Sequence, residues 1–180
     1  MFCPIERTGR TTVRQVPTRC VYVLVYALLL IIGGPLRAAQ PGTTTSVIPE
    51  YAESYPDYGV VESARAGDFV YIGGIIATDI NGNVIAPNDG AAQAEIVYSR
   101  IKKILEVHGA DYRNVVSETI YLTDWERYGA GAEIRKKYYD DAGAAYPSAV
   151  GQEVMSLAVP GLVMEVQMVA YIGETQKVGE

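Results

Sequence analysis

Apolar residues fall into two rhythms along this chain. Residues 60–64 and 69–76 are β-branched or aromatic runs separated by Arg65-Ala-Gly-Asp68, which predicts a β-hairpin with Gly67 in its turn. The second run fades near Asp79, where Asn81-Gly82 marks another tight turn. The period then changes to that of a helix. Ala94, Val97, Ile101, Ile104, Leu105 and His108 form a single stripe, with Asp89 or Gly90 placed to cap its start and Gly109 to stop it. Residues 115–122 return to alternation and predict a strand. Thr123 or Asp124 caps a second helix that runs to about Ala142 and ends at Gly143. Gly129 and Gly131 each cost that helix about 1 kcal/mol relative to alanine, so its first turns should be irregular. Residues 152–157 and 162–172 complete the pattern as two strands joined through Pro160-Gly161.

The order is two strands, helix, strand, helix, two strands. With both helices gathered on one face of a mixed sheet, this is an α+β architecture in a single domain, residues 58–173. Residues 40–57, rich in Thr, Pro and Ser, read as a linker or arm, and 174–180 as a tail.

Residues 1–39 have a different character. Arg7, Arg10, Arg14 and Arg19 precede an uncharged apolar run at 20–32, and small residues follow it. A basic flank, a short apolar core and small residues are the parts of a secretory signal, and the run is short for a membrane span. The expectation is export, to the periplasm in a Gram-negative cell, with cleavage after Ala38 or Ala39; membrane association would arise only through this segment if it stayed uncleaved. The segment holds five of the 15 basic residues and one of the 21 acidic ones, which leaves 10 basic against 20 acidic residues in 40–180, a net charge of -10. Such a chain repels phosphate backbones, so no nucleic-acid partner is expected. Cys3 and Cys20 both lie in the segment, so the mature chain would hold neither disulfide nor thiol nucleophile.

What remains limits the chemistry. His108 is the only histidine, sits in register with the apolar stripe, and reads as a half-buried structural residue near a helix end. No metal site, cofactor loop or serine-nucleophile elbow is apparent, and no cofactor is expected. Glu165 is more unusual. In residues 162–170, Met164, Val166, Met168 and Ala170 share one face while Val163, Glu165, Gln167 and Val169 share the other. A carboxylate on a strand this apolar either works as a general base or orients water, or pairs with Arg or Lys on a solvated or intersubunit face. Tyr121, Tyr138, Tyr139 and Tyr171 read as packing residues with wet hydroxyls.

Ala66-Gly-Asp-Phe-Val-Tyr-Ile-Gly-Gly74, Gln93, Tyr121-Leu-Thr-Asp124, Tyr146-Pro147 and Val163-Met-Glu-Val166, in that order, resemble the Rid family (YjgF/YER057c/UK114). The resemblance spans about residues 58–172. It implies a chorismate-mutase-like fold, a homotrimer with a barrel-like core, and small-molecule clefts between subunits where members hydrolyse enamines and imines. In those members an arginine grips the substrate carboxylate, a backbone group two residues later helps hold it, and a glutamate positions water. Glu165 matches the glutamate and Gly151 the backbone position, but Ala149 stands where the arginine should be. Ala132 replaces an asparagine, Gly73 a serine, and Tyr58 lies near an expected tyrosine; Tyr146 precedes the ligand-lining segment. Losing a bidentate arginine removes the pairing that selects a carboxylate. The expected function is therefore an exported homotrimer that binds a small, non-carboxylate molecule and hydrolyses an imine-like C–N bond with Glu165. The alternative is a non-catalytic binding or chaperone-like trimer with a vestigial pocket.

Overall fold

A computed structural model describes residues 43–46, as backbone, and 58–174. The expected export segment, most of the arm and the last six residues lie outside the described residues. Six strands form one mixed sheet in the order β1-β2-β3-β6-β4-β5. They are β1 Thr43–Ser46, β2 Ser63–Ala66, β3 Phe69–Ile75, β4 Val115–Leu122, β5 Ser148–Glu153 and β6 Met164–Tyr171. The helices are α1 Gly90–Val107, a single turn α2 Trp125–Tyr128, and α3 Gly131–Asp141. All neighbouring strands are antiparallel except β4 and β5, which are parallel.

Most expected elements are present, and four differ. The first strand runs over Ser63–Ala66 rather than 60–64, so that Arg65 and Ala66 pair with Val70 and Phe69 and only Gly67-Asp68 make the turn. The arm contributes β1, which pairs with β2 from Thr43 opposite Ala66 to Ser46 opposite Ser63. The second helix is broken: the Asp124 carboxylate accepts from the Glu126 and Arg127 amides, at 2.9 and 3.0 Å. One turn later Gly129, at φ 36°, carries the backbone out of the helical region before α3 starts. The expected strand at 152–157 lies instead at Ser148–Glu153. This strand is exposed along its whole length, so burial writes no alternation into its sequence, and pairing with β4 alone defines it.

Both predicted caps of α1 form. The Asp89 side chain accepts from the Ala92 amide at 3.0 Å, and beyond His108 the Ala110 amide closes on the Leu105 carbonyl at 2.9 Å. Every apolar member of the stripe is buried, against Val70 and Ile72 of β3, Ile120 and Leu122 of β4, and Met164, Val166, Met168 and Ala170 of β6.

The strongest polar tie in this dry layer is one the strand pattern conceals. Register shifts by one residue between Val115 and Ser117, a bulge that leaves Val116 exposed and lets Val115 face the helices together with Glu118, Ile120 and Leu122. Glu118 is buried. Its carboxylate accepts from Tyr98 Oη at 2.8 Å, Arg135 Nε at 2.7 Å and Tyr139 Oη at 3.3 Å, and lies 2.6 Å from a second guanidinium nitrogen of Arg135. Tyr112 Oη donates to the Tyr98 carbonyl at 2.7 Å. Burial, then the negative charge of Glu118, pushes the Tyr98 phenol well above its ordinary value, so it stays a donor.

A paired buried charge is costly to break from one side, by about 3–5 kcal/mol. Glu118→Ala should lose about that much stability in urea unfolding, whereas Glu118→Met combined with Arg135→Met should recover most of it. A small loss in the single variant would show that the pair does not hold the layers together.

Candidate functional site

The sheet face away from the helices carries Tyr71, Ser117, Thr119, Tyr121, Glu165, Gln167 and Val169, the neighbours by register of the buried set. Part of it, lined by Ala64, Tyr71, Gly73, Ser117, Thr119 and Gln167 among others, dips into a shallow depression of about 350 Å3. Tyr121 sits opposite Glu165, and its hydroxyl reaches Gln167 Oε1 at 3.3 Å.

Glu165 owes its setting to a second bulge. Register between β3 and β6 shifts between Ile72 and Ile75, at Gly73-Gly74. The Gly73 amide turns aside to donate to the Glu62 carbonyl at 2.8 Å. Gly74 leaves the space in which the Glu165 carboxylate rests: a Cβ there would overlap Glu165 Oε1. The carboxylate is half-buried and, among the described residues, makes no hydrogen bond or ion pair. Burial alone pushes its pKa up, because leaving water penalises the ionised form and nothing opposite compensates. Gly73, the position matched from the sequence, flanks this arrangement; Gly74 makes the contact, and two adjacent glycines inside a strand were its signal.

The other matched residues lie elsewhere on the chain. Ala149 pairs with Glu118 and Gly151 with Ile120, which puts both on the helix side of β5. Glu165 is on the opposite side and two strands away, about 10 Å at ordinary strand spacing. Ala132 is exposed at the start of α3. Tyr146 bonds Asp140 Oδ1 at 2.5 Å and stacks edge-on against Tyr139 at 6.1 Å, so it is tied to α3. Tyr58 is 79% exposed. One chain therefore keeps the matched residues in two separate groups, Glu165 with Gly73-Gly74 and Ala149 with Gly151, and does not bring them together.

Trp125 escaped the sequence reading, since neither periodicity nor motif marks it. Its ring lies over Gly151, with Cη2 2.6 Å from where a Cβ would stand. His108 is half-buried, with Nε2 2.9 Å from Ser63 Oγ, and burial, then the positive Arg65, lowers its pKa. Among the described residues no three His, Cys, Asp or Glu side chains are grouped to hold a metal, and no helix is long and apolar enough to cross a membrane.

The family model described as Endoribonuclease L-PSP matches residues 50–172. A Mycobacterium tuberculosis member of the YjgF/YER057c/UK114 family is similar at 26% identity and TM-score 0.60, covering 73% of this chain and 100% of its own. The Escherichia coli YjgF gene product aligns at 21% identity and TM-score 0.63, over 71% of this chain and 98% of its own. Escherichia coli TdcF, solved with bound serine, aligns at 23% and TM-score 0.57, over 62% and 87%.

The raised pKa of Glu165 has a sign in stability. The folded chain holds this proton more tightly than the unfolded chain, so the side chain's contribution is most favourable below about pH 4 and is lost as pH rises through the raised folded value. Glu165→Gln should therefore melt higher than wild type at pH 7–8 and converge with it below about pH 4. Equal midpoints across the range would mean that the carboxylate is solvated.

Proposed function

The chain belongs to the Endoribonuclease L-PSP family, the Rid/YjgF group of α+β proteins, and on that premise we propose that it is a homotrimeric hydrolase of small imine-like compounds. The observation that carries this reading is the Glu165 carboxylate, half-buried against Gly74 with no cation among the described residues. A structural role would call for an Arg or Lys partner; an uncompensated carboxylate with a raised pKa suits a general base acting near neutral pH. Glu165 takes a proton from water as its oxygen adds to the C=N carbon. The same carboxyl returns the proton to nitrogen to give a carbinolamine, then carries the hydroxyl proton to nitrogen as the C–N bond breaks, and a carbonyl compound and an amine leave.

The cleft would lie between subunits. Separation of the two groups on opposite sides of one sheet supports this, because rotational symmetry can set the Glu165 group of one copy against the Gly151 group of the next. A backbone amide at Gly151 survives any change of side chain. Bound serine in TdcF supports a ligand of that size, but Ala149 supplies no guanidinium, so carboxylate-bearing substrates are disfavoured. The net charge of -10 over residues 40–180 opposes RNA as the substrate. Export belongs to the same reading, supported by the Arg-flanked run at 20–32. Full-length protein made in a Gram-negative host should be recovered from the periplasm starting near Ala39 or Gln40; an intact N-terminus in the cytoplasm would remove export.

Light scattering on the purified protein should return a trimer at all dilutions. Imine hydrolysis should exceed the buffer rate and fall by about 100-fold or more in Glu165→Ala, the usual scale of a lost general base. Gly74→Ala, which displaces only the end of a flexible side chain, should lose similar activity with the trimer intact. On 2-aminoacrylate-type intermediates the wild type should be slow. Rapid turnover of those compounds, or activity indifferent to Glu165, would defeat the proposal.

A further inference from the structure

Trp125 is the only tryptophan in the chain, and 49% of it is exposed. Its position is nonetheless fixed. It opens α2 directly after the cap Asp124, and its ring meets Tyr128 edge-on at 6.4 Å and 76°. Its far edge fills the space that any side chain at 151 would need, 2.6 Å from the Cβ position. A large aromatic held this firmly with half its surface bare is an unfinished contact.

Alternation along β5 puts Ala149, Gly151 and Glu153 on the side of the strand where the indole lies. Two of these are too small to cover the ring, and the third is an exposed carboxylate. The guanidiniums of α2 and α3 are already paired with acids, Arg127 with Asp124 at 3.2 Å and Arg135 with Glu118, and Arg127 also donates to the Asn88 amide oxygen at 2.6 Å. This shelf offers a π face and the Glu153 carboxylate to a ligand, and its neighbouring guanidiniums are already paired. Such surroundings attract flat cations and repel carboxylates.

Resting on the cleft reading above, we propose that Trp125 is a specificity-determining residue and that the cleft takes a planar, carboxylate-free C=N compound in its cationic form, an aryl iminium, stacked on the indole. A protonated imine is also the more electrophilic form for water to attack. The overall change is balanced: iminium and water give an aldehyde or ketone and a protonated amine, with no oxidant or reductant.

A lone tryptophan makes the test direct. The native oligomer should show saturable quenching of tryptophan emission by benzamidinium, a stable flat cation, with a Kd at least tenfold below that for benzoate or serine. By calorimetry, Trp125→Leu should weaken benzamidinium binding about tenfold, and Gly151→Ala, which displaces the ring, should do likewise, while Trp125→Phe keeps most of the affinity. Equal or tighter binding of benzoate or serine, or indifference to Trp125→Leu, overturns the inference. Turnover of N-methylbenzylideneiminium, measured in parallel, separates the two readings. Trp125-dependent benzamidinium binding without hydrolysis upholds this inference and removes the hydrolase. Glu165-dependent hydrolysis of carboxylate-free imines that is unaffected by Trp125→Leu upholds the hydrolase and removes this inference.

Discussion

A carboxylate cannot sit alone in a dry layer, and the fold is organised around satisfying one. Glu118 points from the middle of the sheet into the helices, and its oxygens are met by Tyr98 of α1 and by Arg135 and Tyr139 of α3. Each partner comes from a helix that apolar contact alone would leave free to slide. Hydrogen bonds to a buried charge are directional as well as strong, so the cluster sets where both helices lie across the sheet. The same commitment takes Arg135 out of the supply of cations near β5.

Two β-bulges then divide the chemistry between the sheet's faces. The one at Val116 brings Val115 to the same inward face as Glu118, and the one at Gly73-Gly74 makes room for Glu165 on the outward face. The two glutamates lie on neighbouring strands and have opposite fates: one neutralised by three donors, the other left with a raised pKa and no partner among the described residues. That contrast is what distinguishes a structural carboxylate from a candidate general base in this chain.

The sequence was legible where burial is one-sided. The stripe of α1 and the alternation of β6 could be read directly because each has one dry side, and Glu165 stood out against that pattern. Glu118 did not, although it shares the parity of the buried Ile120 and Leu122, because its partners Tyr98, Arg135 and Tyr139 lie far along the chain and no local pattern records them. The strand β5 was misplaced because Ser148–Glu153 is exposed throughout, and β1 because four polar residues on a sheet edge need only backbone pairing. Trp125 was invisible for a related reason: its significance lies in the missing side chain of Gly151, a contact across 26 positions that no local pattern records.

The strand that comes last in the sequence lies in the middle of the sheet. Met164–Tyr171 is inserted between β3 and β4, hydrogen-bonded to both, and carries four of the buried core residues. During synthesis, β3 and β4 emerge long before the element that joins them, and α1 has only half a floor to pack on. The domain therefore cannot acquire its tertiary structure progressively from the N-terminus; it stays open, with apolar strand edges bare, until Met164–Tyr171 has emerged. A product released early would be a substrate for chaperones and proteases rather than a smaller version of the domain.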